Sequence, residues 1–330
     1  LMIIKTVVLT IYFSILLGIG FFASRRIKNI SDYYVGGKKL NYWIAALSAR
    51  STGESGWLLI GVTGMGALMG VSAMWIVVGE VIGVFFSWQY MAKKFKRLTN
   101  EYNSITIPDF LVSHFRPSTN LIRILASTAL SLFVVIYVSA QIDITGKTFE
   151  SFLGFNYYTG IAIGFGIVVL YIFSGGFLAV AWSDFFQGSL MFVALLLLPI
   201  IAFFGLSSDV SIINGLKSID PALLNIWGPG GFNWINFATV AGLVSIGIGF
   251  LGSPQVYVRF IAIKSEDEVE KGKWVAIIYT LLTDTAAVMI GILGRYILTK
   301  SGQDPEAVLG TAGENVLVML LNQVMPTVII

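Results

Sequence analysis

Eight stretches of this chain stay apolar for about the width of a bilayer, and no other feature narrows its fold as much. They lie at about 3–23, 41–69, 72–92, 122–144, 157–174, 179–206, 236–262 and 272–298. At ~1.5 Å of rise per residue, about 20 apolar residues carry a helix across the hydrocarbon core, whereas a membrane β-strand needs only about 9–11. Runs of this length are therefore helices, which satisfy their own backbone groups without help from lipid. Charge use agrees. Asp, Glu, Lys and Arg make up 12% of the 330 residues, against roughly 25% in soluble domains. The expected class is an all-α integral membrane protein.

Basic residues sort the connecting loops by side. Arg25, Arg26 and Lys28, then Lys38 and Lys39, then Lys93, Lys94, Lys96 and Arg97, then Lys264, Lys271 and Lys273 all fall on one face if every stretch crosses once. The opposite loops carry Lys147, Lys217 and Lys300. The positive-inside rule makes the richer side cytoplasmic, with the N-terminus outside. The expected location is a plasma membrane, a bacterial inner membrane first. Only Lys5 precedes the core of the first stretch, and no small-residue cleavage site stands before Arg25, so this stretch reads as a retained helix rather than a signal peptide. The chain has no cysteine, which excludes disulfides, thiolate metal sites and a cysteine nucleophile. It also lacks the phosphate-loop and HExxH patterns of nucleotide and zinc enzymes. Its one histidine, His114, lies in the 93–121 loop and reads as solvated. Neither an enzyme nor a nucleic-acid partner is expected.

The second apolar stretch differs from the rest. Within LNYWIAALSARSTGESGWLLIGVTGMGALMG (40–70), the middle from Ser48 to Gly56 holds Arg50, Glu54, four hydroxyls and two glycines. A polar, glycine-bearing break inside a span is tolerated where protein or a water-filled cavity satisfies the freed backbone, and transporters use such breaks to hold substrate and ion. Arg50 and Glu54 stand four apart, so they could brace the break or serve cation and solute. The seventh stretch is interrupted as well, by Gly247, Gly249, Gly252 and Pro254. Five crossings over 41–206, followed by a broken helix of opposite direction from 236, have the form of an inverted-topology repeat. The second unit, 236–330, would then be partial, and the chain ends inside the apolar Val328–Ile330. A further C-terminal portion is expected. Among the other intramembrane acids, Asp143 is expected to pair with Lys147, and Glu80 to play a structural part with Arg50 as its candidate partner. Asp284 has no basic partner in its own helix.

Five stretches, taken in order, resemble the sodium:solute symporter family, and most closely its sodium/proline branch: SDYYVGGKKL (31–40), ALSARSTGESGWLLIG (46–61), NSITIPDF (103–110), GGFLAVAWSDFFQGSL (175–190) and GSPQVYVRF (252–260). The resemblance implies a LeuT-like core of two inverted five-helix repeats behind an extra N-terminal helix, 3–23. It also implies solute uptake driven by Na+ as coupling ion. Carried over by position, Ala49 and Thr52 supply sodium-binding carbonyls, and Asp184 matches an acid that forms an additional sodium site in some members. Tyr137 matches a substrate-site tyrosine, and Ile246 and Phe250 fall where the proline branch has aromatic residues. Ser55, Gly56 and Trp57, at the break itself, complete the candidate solute set. The proline branch carries an aspartate where this chain has Gly53, with Glu54 beside it. The reading is a single transporter domain whose partners are sodium, a small organic solute such as proline, and the lipid bilayer. Two alternatives stay open: another solute (sialic acid, sugar, pantothenate, carboxylate), or a symporter-like sensory input domain of a signalling protein.

Overall fold

The structure is a computed structural model and describes residues 2–206, 211–302, 309, 310 and 313–324. The apolar terminal run Val328–Ile330 lies outside the described residues, within which there is no strand. In chain order the helices are α1 (Met2–Ser24), the short α2 (Ile30–Val35), α3 (Tyr42–Gly56), α4 (Thr63–Met69) and α5 (Met74–Phe86). Then come α6 (Lys93–Glu101), α7 (Ile107–Phe115), α8 (Leu121–Leu153), α9 (Tyr157–Phe204) and α10 (Ile212–Ile219). The last are α11 (Trp234–Ile248), α12 (Pro254–Ala262), α13 (Glu266–Lys300) and α14 (Val316–Val324). Among the described residues, six continuous helical stretches are long and apolar enough to cross a membrane. Two of them, 42–101 and 157–204, are long enough to cross twice. Each is interrupted where two expected spans meet, by Gly70 (φ 60°) in the first and Gly176 (φ 53°, ψ −152°) in the second. Both are glycines because a Cβ is strained at such φ. At Gly176 it would also meet the Tyr33 carbonyl, at 2.7 Å.

Both interruptions anticipated inside spans are present. α3 contains Ser55 at φ 38°, ψ −142°, and a six-residue π-helical turn, Trp57–Val62, separates it from α4. α11 and α12 are divided by a 3-10 turn, Gly249–Gly252, and Pro254 opens α12 where its missing N–H would have had no helical partner.

The fold gathers into two compact units. The first holds Leu1–Gly53, Ser87–Gly188 and Ser253–Ala276. In it α1 packs on the first half of α9, around the Gly176 kink, through Leu16, Ala23, Tyr171 and Ala179. The SDYYVGGKKL motif makes a tight reversal: the Asn29 side chain accepts from the Asp32 N–H at the start of α2, and Gly36 and Gly37 adopt left-handed φ of 59° and 63°. The reversal lays Leu40 parallel to Ile263, with Leu40 N–H donating to the Ala262 carbonyl at 3.1 Å and Lys264 N–H to that of Leu40 at 2.8 Å. Lysines neutralise nearby helix C-termini, where carbonyls lack partners. Lys38 Nζ donates to Thr99 O at 3.0 Å, and the buried Lys96 donates to Ile261 O at 2.9 Å. Burial lowers the Lys38 pKa below its ordinary value. Asp143 does pair with Lys147, at 2.9 Å, and also accepts from the Tyr157 hydroxyl at 2.7 Å. His114 is exposed, stacked on Phe110.

The second unit holds Glu54–Phe86, Ser189–Gly252 and Ile277–Ile330. Its core joins Leu58, Val62, Ile76, Leu195, Leu243, Val288 and Leu293. Lipid is as apolar as a side chain, so close backbone packing rather than apolar burial holds such helices together, and small residues mark it. A Cβ on Gly79 of α5 would strike the Val244 carbonyl of α11, one on Gly83 that of Gly247, and one on Gly247 that of Gly79. The α4–α13 contact is built the same way, with Gly66 against Val288 and Gly291 against Thr63.

Candidate functional site

In the first unit the polar half of α3 meets Asp184 of α9. Ser48, Ser51 and Thr52 share one face, being spaced three and four apart. Ser48 Oγ donates to Asp184 Oδ2 at 2.6 Å and Thr52 Oγ1 to the same oxygen at 3.2 Å, while Ser51 Oγ donates to the Asp184 backbone carbonyl at 3.0 Å. Arg259 of α12 completes the cluster. Its Nη2 lies 2.7 Å from Asp184 Oδ2 and 2.8 Å from Thr52 Oγ1, its Nε 3.0 Å from Ser48 Oγ, and its Nη1 2.8 Å from the Gln255 carbonyl. The side chains of Arg259 and Asp184 are 6% and 14% exposed, so little water screens the pair. Tyr137 of α8 donates its hydroxyl to the Thr52 carbonyl at 2.7 Å. The fold thus brings together three of the candidates, Thr52, Asp184 and Tyr137. Ala49 is buried on the same helix.

The remaining candidates belong to the second unit, apart from Arg50, which belongs to the first. Glu54, Glu80 and Asp284 are fully buried, and each has a carboxylate oxygen within 4.8 Å of the others. Glu80 therefore belongs with two other acids, a grouping the linear sequence conceals. Part of their hydrogen bonding comes from Trp57 Nε1, which donates to Glu80 at 3.3 Å, and from Thr283 Oγ1, which donates to Glu54 at 3.2 Å. Three carboxylates gathered this closely in a buried site need hydrogen-bond donors or positive charge around them. Ser55 and Gly56 form the break next to Trp57. Trp57 and Ile246 pack on the unit's apolar core, and Phe250 is buried in the turn between α11 and α12. Arg50 is buried too.

This arrangement of broken helices has a close counterpart. A solved structure of a Na+-coupled sialic acid symporter, in a substrate-bound outward-open state, superposes with TM-score 0.82, covering 99% of this chain and 67% of that one at 20% identity. The fold is LeuT-like, as in that protein. A model of the sodium:solute symporter family matches residues 33–330. The chain belongs to the sodium:solute symporter family. Among its relatives, the high-affinity proline transporter PutP of Bacillus subtilis is 37% identical over 294 residues, 88% of this chain and 61% of that protein. The osmoregulated proline transporter OpuE of the same organism is 33% identical over 304 residues (91% and 61%). The sodium/proline symporter of Escherichia coli is 34% identical over 283 residues (84% and 54%). The chain spans about three fifths of the length of the first two of these relatives and about half of the third.

Membership, together with the long apolar helices among the described residues, makes this chain part of a multi-pass membrane protein. The structure also singles out a residue that the sequence alone did not mark, Arg259. Arg259 stands in the GSPQVYVRF motif at the end of an apolar stretch, where a basic residue reads as an interfacial anchor. Its partnership with Asp184, 75 residues away, appears only when α9 and α12 are placed against α3.

Proposed function

We propose that this chain forms part of a sodium-coupled symporter that imports a small organic solute, proline first among the candidates, across a bacterial inner membrane by alternating access. The observation that carries the reading is the oxygen set of the first unit. Asp184 contributes a carboxylate and Ser48 and Thr52 contribute hydroxyls, in a nearly closed setting one turn before the Ser55 break. Hard oxygens of this kind suit an alkali cation. The names of the proline-transporting relatives point the same way. Sodium is assigned to Asp184, Thr52 and the carbonyls around Ala49. Solute contact is assigned to Ser55, Gly56, Trp57, Ile246 and Phe250, with Tyr137 holding the Thr52 carbonyl in place. Glu54 and Arg50 are assigned to coupling. Residues 41–206 are read as the first inverted repeat and those from 236 as part of the second, behind the extra helix 3–23.

Ion binding that orders α3 ahead of its break would raise solute affinity, and linkage requires solute to raise sodium affinity equally. Full-length protein in proteoliposomes is expected to accumulate labelled L-proline under an inward sodium gradient and to stop when choline replaces sodium. Uptake indifferent to sodium would overturn the coupling, whereas sodium-dependent uptake of a different solute would replace proline alone.

The orientation has its own test. Cysteines introduced at Lys94 and Lys271 are expected to react with an impermeant maleimide only from the cytoplasmic side, and one at Lys217 only from outside. Labelling of Lys94 and Lys217 from one face would overturn both the crossing count and the inverted repeat.

A further inference from the structure

The cluster around Asp184 already contains a cation. We propose that Arg259 is a tethered counter-cation, which holds the Asp184 site until sodium replaces it; the proposal rests on the sodium reading above. The oxygens a sodium ion would use, Asp184 Oδ2, Thr52 Oγ1 and Ser48 Oγ, are the same three that the guanidinium holds at 2.7, 2.8 and 3.0 Å. One carboxylate and one guanidinium, both nearly buried, make a neutral pair. A second cation added there would place like charges side by side with little water to screen them, so the two exclude one another.

Arg259 also has somewhere to go. Its Nη1 is bonded at 2.8 Å to the Gln255 carbonyl one turn back on α12, and its guanidinium carbon lies 5.2 Å from the centre of the Phe177 ring. Neither interaction involves Asp184, and an arginine over an aromatic face keeps a favourable cation–π contact. The side chain can therefore leave the carboxylate while keeping a hydrogen bond and a stacking partner. The bonds it surrenders tie α12 to α3 and to α9, so sodium entry and the loosening of these three helices within the unit become one event. The hydroxyls are suited to the exchange. In the paired state Ser48 and Thr52 donate to Asp184 and accept from Arg259, and the same lone pairs can turn to a metal ion.

The test is equilibrium binding of radioactive sodium, without solute, to purified full-length protein and to Arg259→Gln, Asp184→Asn and the double variant. Removing the internal competitor is expected to tighten sodium binding about tenfold in Arg259→Gln, a difference of about 1.4 kcal/mol. Asp184→Asn is expected to weaken it, and adding Arg259→Gln to Asp184→Asn to restore none of the loss, since the competition acts through that carboxylate. Should Arg259→Gln fail to fold, Arg259→Lys serves instead. It keeps a charge but loses the fork that spans three oxygens, and about threefold tighter binding is expected. Unchanged or weaker sodium binding in the folded Arg259 variant overturns the exchange, as does a gain that persists without Asp184. If the unsubstituted protein binds no sodium, the transport reading falls together with this one. If it binds sodium with an affinity indifferent to Arg259, this one alone falls.

Discussion

Replacing Gly247 by leucine is expected to eliminate most of the folded protein, although the new side chain is as apolar as the lipid around it. The reason lies in what a Cβ at that position would meet. It would overlap the carbonyl of Gly79 on α5, while a Cβ on Gly83 would overlap the carbonyl of Gly247 itself. These obstacles are backbone atoms of helices fixed at both ends, so no side-chain rotation relieves the overlap. Overpacking a core ordinarily costs about 1–3 kcal/mol, much of it relieved by rotamer shifts. Here the helices must separate, and the loss is expected at or above the top of that range. Gly242 of the same helix is the control, because a Cβ there meets nothing within 4 Å. Gly242→Ala should be neutral or stabilise α11 by up to about 1 kcal/mol through helix propensity. Thermal unfolding in detergent, with the yield of monodisperse protein, measures both. A Gly247→Leu protein that melts with the unsubstituted one would show that α5 and α11 do not rest backbone against backbone.

This contact also marks where sequence reading stopped. The glycines of the seventh stretch were legible as helix breakers, and the break after Ile248 bears that out. Their second use, as contact points for α5, was announced by Gly79 and Gly83 four residues apart, a small-residue spacing typical of membrane helix pairs. Periodicity shows such a face but not the helix it meets. The broken α3 was legible because Arg50, Glu54, hydroxyls and glycines cluster at mid-span, where hydrocarbon would penalise each of them. The same excess of hydroxyls disguised their roles. Ser48, Ser51 and Thr52 lie on one face, and that face is aimed at Asp184, but a hydroxyl in a membrane helix is as well explained by its own backbone. Ser51 does both, donating to the Leu47 carbonyl at 2.6 Å. Glu80 was legible as an intramembrane acid with a structural part. Its neighbours Glu54 and Asp284, 26 and 204 residues distant in the chain, were supplied only by the tertiary fold.

The partner found for Asp184 changes what its neutralisation should do. Read as a lone acid, Asp184→Asn would shift sodium activation and leave protein abundance almost untouched. With Arg259 2.7 Å away and both side chains nearly buried, the amide leaves a guanidinium without its counter-charge. Breaking a buried ion pair from one side costs about 3–5 kcal/mol, most of it the desolvated charge left behind. The retained contacts to Thr52, Ser48 and Gln255 temper this, so a loss of about 3 kcal/mol is expected for Asp184→Asn. Arg259→Gln alone should cost a comparable amount in sodium-free buffer and less in high sodium, where the ion can occupy the vacated oxygens. The double variant should recover most of the stability, since two neutral amides can hydrogen-bond where two charges stood. Recovery of stability without recovery of sodium binding is the distinguishing result, because it assigns the pair's energetic role to charge balance and its ionic role to Asp184. Additive losses in the double variant would mean that the two residues act independently, and the cluster would then be a set of separate helix contacts rather than one ion-exchanging site.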